Sequence, residues 1–182
     1  MPHRPQLALI GPMGAGKSSI GRALAGLLER PFIDLDRAIE AAAGAEIPLI
    51  FELEGEAGFR RREREALAAH LAGTGAVIAC GGGVILDPDN RQLLRERAFV
   101  VHLVASVDEQ LERLARDRSR PLLRTGDRRE RLRELARERE PLYAGCADLS
   151  FHGRGGAPAV AARELAGRLV EISPDLVVRD DD

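Results

Sequence analysis

The sequence contains very little aromatic surface. Among 182 residues there is no tryptophan, one tyrosine and five phenylalanines, so a platform for stacking nucleic-acid bases is not expected. The net charge of −2 is equally unlike that of a protein that binds nucleic acid or an anionic membrane surface. No apolar run approaches the roughly 20 residues that a membrane-spanning helix needs, and the first residues do not resemble a targeting signal. We therefore expect a monomeric cytoplasmic protein whose partners are small molecules.

Cysteine and lysine are also scarce. Cys80 and Cys146 do not form a CxxC or another metal-binding spacing, which favours reduced thiols in the cytoplasm. Lys17 is the only lysine, while arginines supply all the other basic side chains. A general preference for arginine explains the surface residues but not the one lysine that remains. We infer that a guanidinium cannot do what Lys17 does.

Apolar and helical segments alternate along the whole chain. Short apolar runs predict strands at 7–10, 32–34, 76–80, 99–104 and 149–151, and segments with helical periodicity lie between them. This alternation predicts an α/β fold, a five-stranded parallel sheet flanked by helices. The sequence has no repeat, low-complexity segment or linker, so we expect residues 1–182 to form one domain.

Proline, glycine and capping residues predict where several helices begin and end. Asp87 is a plausible cap for a helix over 88–97, and a helical pair is expected to start near Pro48 and Glu56. Pro141 is expected to stop the helix that begins at residue 128. Residues 173–182 are expected to form a frayed, flexible tail.

The strongest motif runs from Gly11 to Ser18 and reads Gly-x4-Gly-Lys-Ser between a predicted strand and a predicted helix. Glycines let backbone N–H groups converge on phosphate oxygens, and the helix N-terminus adds partial positive charge. Lys17 would reach the β- and γ-phosphates, and Ser18 would supply a hydroxyl ligand to Mg²⁺. The predicted nucleotide-binding residues of this loop are Gly14, Ala15, Gly16, Lys17, Ser18 and Ser19. The guanine-specific Asn-Lys-x-Asp motif is impossible, because Asn90 is the only asparagine.

Asp34 and Asp36 close the second predicted strand. Residues two apart on a strand face the same way, so both carboxylates are expected at one pocket. One could hold a metal-bound water, and the other could accept a proton from a substrate hydroxyl. The alternative is that Asp36 only caps the next helix.

Each remaining motif is ambiguous alone. The arginine run 60–64 is typical of a solvated helix face, although one guanidinium could bind a carboxylate bidentately. The triplet 81–83 is either a flexible turn or a ligand-binding loop at the edge where open α/β sheets bind ligands. Arg120 could act on phosphates like an arginine finger or lie on the surface. Arg139 could contact a ligand or favour the dipole at the end of its helix.

The order and spacing of these motifs resemble the shikimate kinase family. The matches between Gly11 and Tyr143 are Gly-x-Met-Gly-x-Gly-Lys-Ser, Asp-x-Asp, Phe-Arg-Arg-x-Glu, Gly-Gly-Gly, Arg-Pro-Leu-Leu and Arg-x-Pro-Leu-Tyr. The resemblance implies a P-loop kinase in the nucleoside-monophosphate-kinase arrangement with a mobile lid. It also implies transfer of the ATP γ-phosphate to the 3-hydroxyl of shikimate, a step in the synthesis of chorismate and the aromatic amino acids.

The resemblance also implies roles for individual residues. On the nucleotide side it implies Lys17, Ser18, Arg113 and Arg154, together with Arg120 in a lid over residues 114–127. On the substrate side it implies a binding region over residues 36–64, in which Asp36 is the hydroxyl ligand and base. Asp34 would hold a metal-bound water. The carboxylate of shikimate would be held by Arg60 and Arg139, and backbone N–H groups would come from Gly81, Gly82 and Gly83.

The chain departs from the family pattern at two places. Ala79-Cys80 stands where many members have a hydroxyl residue that can support the metal, and the adenine-contacting stretch 152–158 matches only loosely. Two alternatives remain. One is another small-molecule P-loop kinase, acting on gluconate or a nucleoside monophosphate, which the arginines and the glycine triplet argue against. The other is a catalytically silent nucleotide-binding regulator, which Asp34, Asp36 and Arg120 argue against.

Overall fold

A five-stranded parallel sheet forms the centre of the computed structural model, which describes residues 5–115, 127–153 and 156–177. The strands are β1 (Gln6–Ile10), β2 (Phe32–Asp34), β3 (Val77–Ala79), β4 (Ala98–Leu103) and β5 (Leu149–Phe151). Their order across the sheet is β2-β3-β1-β4-β5, and every neighbouring pair is parallel. Parallel neighbours need crossover connections, which helices supply. The predicted α/β class and sheet are confirmed.

Helices connect the strands and cover both faces of the sheet. They are α1 (Lys17–Leu27), α2 (Leu35–Ala43), α3 (Ile47–Leu71), α4 (Pro88–Arg97), α5 (Val107–Leu114), α6 (Arg128–Cys146) and α7 (Pro158–Ile172). Short 3-10 helices lie at Val84–Leu86 and Pro174–Leu176. Within the described part of the chain, no helix is both long enough and apolar enough to cross a lipid bilayer.

Side chains along β1 point alternately to the two faces of the sheet, and each face packs against its own layer of the core. Leu7 and Leu9 pack with the buried side chains of α1 and α7, whereas Ala8 and Ile10 pack with those of α2, α3, α4 and α6. Successive side chains of a strand point to opposite faces, so a strand buried on both faces reads as an unbroken apolar run. All five residues of β1 are buried.

The parallel arrangement brings the functional loops to one edge. Three segments leave the carboxyl ends of adjacent strands: the loop from Gly11 follows β1, α2 follows β2, and the glycine triplet 81–83 follows β3. The chain runs from β1 to β2 and β3 on one side, and then crosses to β4 on the other. Ligands bind beside such a change of direction in open α/β sheets.

The proline stop predicted at Pro141 is wrong, because α6 continues through this residue to Cys146. Proline lacks the N–H that would bond the carbonyl one turn earlier, so the helix loses a hydrogen bond there. The next turn buries Tyr143 and Cys146 in the core, and this burial outweighs the loss. Arg139 therefore lies inside α6 rather than in its last turn.

The segment after α7 packs against the core. Leu176 is fully buried, and its carbonyl oxygen accepts a hydrogen bond of 2.6 Å from Arg30 Nη2. Arg30 Nη1 also donates to the carbonyl of Pro5 at 2.8 Å. The frayed tail expected from residue 173 onwards thus does not describe residues 174–176, and residues 178–182 lie outside the described ones.

Candidate active site

The loop between β1 and α1 forms one side of the site. Gly16 caps α1 with a φ of 91°, in the left-handed region that glycine adopts without strain. Lys17 is the first residue of α1, and its Nζ donates to the carbonyl oxygens of Gly11 and Pro12, both at 2.8 Å. The ammonium group is therefore held along the loop, at the positive end of the helix.

Asp34 joins this loop to α2. Its Oδ2 accepts a hydrogen bond of 2.6 Å from Ser18 Oγ, and its Oδ1 accepts one of 3.3 Å from the Arg37 amide. Asp34 is thus the cap of α2, and the alternative that Asp36 is only a cap is wrong. The strand argument for the pair is also wrong, because α2 begins at Leu35 and places Asp36 in its first turn. Both carboxylates nevertheless line the same cavity.

Ser18 and Asp34 offer oxygen donors of the kind that Mg²⁺ prefers. Magnesium is usually held by one or two protein groups, with water and nucleotide phosphates completing the shell. Over residues 5–115, 127–153 and 156–177, no group of three or more His, Cys, Asp or Glu could hold a metal alone. Two oxygen donors of this kind fit a magnesium ion whose other ligands are water and nucleotide phosphates.

The first and last glycines of the triplet lie against charged side chains. A Cβ on Gly81 would lie 2.8 Å from Glu63 Oε1 and 3.0 Å from Asp36 Oδ1. A Cβ on Gly83 would lie 2.4 Å from the guanidinium nitrogens of Arg60. A methyl group at either position would displace the ends of these charged side chains, so the absence of side chains at Gly81 and Gly83 lets them lie against the triplet. The triplet thus gathers groups from α2 and α3 at the end of β3.

The middle glycine is bonded to α6. The carbonyl of Gly82 accepts a hydrogen bond of 2.5 Å from the Tyr143 hydroxyl and a longer one of 3.4 Å from Arg139 Nη1. Behind Tyr143 lies His102 on β4, with the ring centroids 5.1 Å apart. These bonds hold the peptide unit between Gly82 and Gly83, with the N–H of Gly83, from the side of α6.

Arg60 and Glu63 form a pair at the cavity wall. Arg60 Nη1 lies 2.7 Å from Glu63 Oε2, and Arg60 Nη2 lies 3.2 Å from Glu56 Oε1. Burial would lower the pKa of Arg60, but Glu63 and Glu56 outweigh it and raise that pKa overall. Burial raises the pKa of Glu63, against the opposing effect of Arg60.

Two buried polar atoms, one in Glu63 itself and one in nearby Arg139, stand out at this part of the cavity wall. Among the described residues, neither Glu63 Oε1 nor Arg139 Nε has a hydrogen-bond partner. An unsatisfied buried polar atom typically costs about 1–3 kcal/mol, so natural proteins rarely retain one without a use. A polar ligand entering here would find both a donor and an acceptor prepared for it.

A cavity of about 550 Å³ connects these groups. The sequence-predicted residues that line it are Ser18, Asp34, Asp36, Arg60, Gly81, Gly82, Gly83 and Arg139. Phe51 and Phe59, stacked at 4.7 Å between ring centroids, add an apolar wall. Arg22 and Arg37 also line it, so the cavity combines four arginines, several carboxylates and a small apolar face.

A second cavity of about 340 Å³ lies on the other side of the Lys17 loop. Its predicted residues are Gly14, Ala15, Gly16, Ser19 and Arg113. Arg113 Nη1 donates to the Gly14 carbonyl at 3.0 Å, while Leu103, Phe151 and Pro158 provide apolar walls. Arg120 and Arg154 lie outside the described residues, so their assignments stay predictions.

Sequence reasoning missed Glu63 and Tyr143 as site residues. Both stand inside recognised motifs, Glu63 three residues after Arg60 and Tyr143 four residues after Arg139. Those spacings put each pair on one helix face, which was the available signal. His102 had no such signal, because nothing in its strand shows that Tyr143 packs on it.

Known proteins match this chain over nearly its whole length. The family model described as shikimate kinase matches residues 13–170. The shikimate kinase of Stenotrophomonas maltophilia (strain R551-3) is 59% identical over 165 residues, 91% of this chain and 92% of the relative. That of Chromohalobacter salexigens is 48% identical over 172 residues, 94% of this chain and 96% of the relative. The solved shikimate kinase from Acinetobacter baumannii in complex with shikimate aligns with a TM-score of 0.90 at 42% identity, covering 93% of this chain and 95% of that one. On this evidence the chain belongs to the shikimate kinase family.

Proposed function

We propose that the protein transfers the γ-phosphoryl group of ATP to the 3-hydroxyl of shikimate, giving shikimate 3-phosphate and ADP. The observation that carries the proposal is the cavity in which Arg60 and Arg139 lie with Asp36. Two arginines suit the carboxylate of a small polyol acid, and a carboxylate suits its hydroxyl groups. The shikimate in the related Acinetobacter baumannii structure supports the same substrate here.

The cavity beside the Lys17 loop is the proposed nucleotide site. Its backbone amides and the ammonium of Lys17 would bind the phosphates. Leu103, Phe151 and Pro158 offer an apolar slot for a base, with Arg113 at its side. These groups act by position and charge, which is how phosphoryl transfer is chiefly catalysed.

Asp36 is the proposed partner of the reacting hydroxyl. It would accept a hydrogen bond from the 3-hydroxyl and align the oxygen with the γ-phosphorus. As the new O–P bond forms, the bond to the oxygen bridging the β- and γ-phosphorus atoms breaks, and its electrons stay with ADP. The hydroxyl proton passes to the Asp36 carboxylate and then to solvent. Lys17 would stabilise the charge that develops on the leaving phosphate.

Ser18 and Asp34 would hold Mg²⁺, Asp34 through a water molecule. When bound, the ion neutralises phosphate charge. Asp34 already binds the Ser18 hydroxyl at 2.6 Å, so the protein keeps these oxygens together without rearrangement of α1 or α2. This preorganisation supports the assignment of the two residues.

Several parts of the proposal come from the sequence. Residues 114–127 are the proposed lid, with Arg120 acting on the phosphates, and Arg154 is the proposed second nucleotide-side arginine. Residues 36–64 are the proposed substrate-binding region of a single catalytic domain. We also propose that the enzyme is a cytoplasmic monomer, and the free thiols of Cys80 and Cys146 support the reducing compartment.

A coupled assay of ADP release tests the function. ATP, Mg²⁺ and enzyme are combined with shikimate, gluconate, each nucleoside monophosphate or no acceptor. We expect release that depends on shikimate alone. Release with gluconate or a nucleoside monophosphate instead would indicate a different kinase, and ATP binding without turnover of any acceptor would indicate a regulator.

A further inference from the structure

Helix α3 consists of two helical halves joined at Gly55. Gly55 has φ 68° and ψ −175°, a combination that other residues avoid, so the helical bonding pattern is broken there. The halves span residues 47–54 and 56–71. Backbone hydrogen bonds within one continuous helix therefore do not fix the angle between them.

Both halves line the cavity proposed for shikimate. Ile47, Pro48 and Phe51 come from the first half, and Phe59, Arg60 and Glu63 come from the second. The stacked rings of Phe51 and Phe59 mark where the halves meet. The angle at Gly55 thus sets the distance from Phe51, in the first half, to Arg60 and Glu63, in the second.

Glu54 connects the two halves across the break. Its carboxylate accepts hydrogen bonds from Arg62 Nε at 3.1 Å and Arg62 Nη2 at 2.7 Å, and a weaker one from Arg61 Nη2 at 3.3 Å. This geometry is the two-pronged contact of a guanidinium with a carboxylate, which is directional as well as attractive. These contacts run from the first half of α3 to the second, so they bear on the angle between the halves.

Gly58 provides independent support for this connection. A Cβ at Gly58 would lie 2.3 Å from the Glu54 Cβ and 2.9 Å from its Oε2. A side chain at this position would push Glu54 away from the second half. Gly58 is buried, and its lack of a side chain is what lets Glu54 lie close enough to reach Arg62.

We propose that Glu54 is a positioning residue, whose contact with Arg62 fixes the angle between the halves of α3 and holds Arg60 at the distance from Phe51 that shikimate requires. The inference rests on the proposed function of this cavity. It gives two arginines of the run different roles, since Arg60 faces the cavity whereas Arg62 secures the helix that carries Arg60. Weakening the contact should widen the range of angles at Gly55 and weaken shikimate binding, without touching the nucleotide cavity.

Glu54→Gln, Arg62→Gln and the double variant test this, because glutamine is uncharged and removes the ionic contact at either position. It matches glutamate in size and is shorter than arginine. We expect each single variant to raise the KM for shikimate by up to about fivefold, the effect of losing one partly exposed charged contact. The kcat at saturating shikimate and the Kd for ADP should stay near wild type. The double variant should resemble the singles, because both remove the same contact.

Glu134→Gln is the matched control. Glu134 pairs with Arg131 at 2.9 Å on an exposed part of α6, away from both cavities, so its KM should be unchanged. Gly58→Ala should also raise the KM for shikimate, because the added methyl group would displace Glu54 from Arg62.

The outcomes separate this proposal from the proposed function. A wild-type enzyme without shikimate turnover would overturn the function. An active wild type with an unchanged KM in Glu54→Gln and Arg62→Gln would overturn the positioning role alone. If the increases in the KM for shikimate multiply in the double variant, Glu54 and Arg62 do not act through their mutual contact. If the Kd for ADP rises as much as the KM for shikimate, the contact does not act through the angle of α3.

Discussion

At the scale of single residues, Lys17 is the clearest case. Its ammonium fits between two carbonyl oxygens, each 2.8 Å away, in a loop built around the N-terminus of α1. Lys17→Arg keeps the charge but introduces a larger, planar group. We expect a loss of kcat of about a hundredfold, comparable with removing one key donor from a transition state. Steady-state kinetics checks this, and near-normal turnover would refute our interpretation of the lone lysine.

Asp36→Asn isolates the carboxylate proposed to bind the reacting hydroxyl. Asp34, not Asp36, caps α2, so the helix keeps its cap and the melting temperature should move little. Turnover should fall by about a hundredfold to ten-thousandfold, the usual contribution of a general base. Kinetics, calorimetric ADP binding and a thermal melt distinguish the outcomes. A folded variant with normal turnover would remove Asp36 from the mechanism, whereas an unfolded one would reveal a structural role.

The variants Arg60→Ala and Arg139→Ala should differ in their free energy of unfolding, although the two arginines share a proposed role in substrate binding. Arg139→Ala and Arg60→Ala should each weaken shikimate about tenfold to hundredfold, with ADP affinity little changed. Arg60→Ala should also destabilise the fold by about 3 kcal/mol, because Glu63 is 1% exposed and would lose its charged partner. Isothermal titration and urea unfolding test both parts. Unchanged shikimate binding in both variants would disprove the carboxylate clamp.

At the scale of secondary-structure elements, the shorter of the two hydrogen bonds from α6 to the glycine triplet comes from the Tyr143 hydroxyl. Tyr143→Phe removes the donor to the Gly82 carbonyl and leaves the ring stack with His102 intact. We expect a loss of stability of about 1–2 kcal/mol and a higher KM for shikimate, because Gly82 would be held less firmly. Thermal unfolding and kinetics measure these effects. A stable variant with an unchanged KM would show that the triplet keeps its place without Tyr143.

The continuation of α6 past Pro141 shows why a prediction from neighbouring residues failed there. Pro141 is a sound signal for a helix end, since it removes a donor and crowds the preceding turn. The helix nevertheless continues, because only then can Tyr143 and Cys146, one turn later, bury their side chains in the core. Burial of side chains at a distance along the chain is not visible to a rule about neighbouring residues.

At the scale of the whole molecule, His102 links stability to pH. It is buried on β4, and burial, with a smaller contribution from Lys17, lowers its pKa to about 4. In the unfolded chain an imidazole titrates near pH 6.5. Between these values the unfolded state binds a proton that the folded state does not. Stability should therefore fall by up to about 3 kcal/mol as the pH drops from 6.5 to about 4.

His102→Phe tests this coupling, because phenylalanine keeps a flat ring against Tyr143 and cannot take up a proton. Urea unfolding at pH 7 and pH 5 should show a smaller difference in this variant than in the wild type. His70→Gln, which alters a histidine at the end of α3, serves as the control and should keep the wild-type difference. An equal pH dependence in His102→Phe and wild type would contradict the prediction.

Much of the molecule follows from patterns that are complete within a few residues. The apolar runs of β1 and β3 require burial on both faces, and the Gly-x4-Gly-Lys-Ser loop combines backbone freedom, a helix N-terminus and a charge in eight consecutive positions. Such signals need no partner from elsewhere in the chain. The fold class and the phosphate loop could therefore be predicted from the sequence.

The tertiary structure alone decided the roles within the arginine run 60–64. The same side chain recurs at residues 60, 61 and 62, and a helix turns each toward a different environment. Arg60 meets Glu63 and the triplet, whereas Arg62 meets Glu54 across the break at Gly55. Those partners come together only when the two halves of α3 pack on each other and on the loop after β3. Sequence determined which chemical groups were present, and packing determined which of them face the cavity.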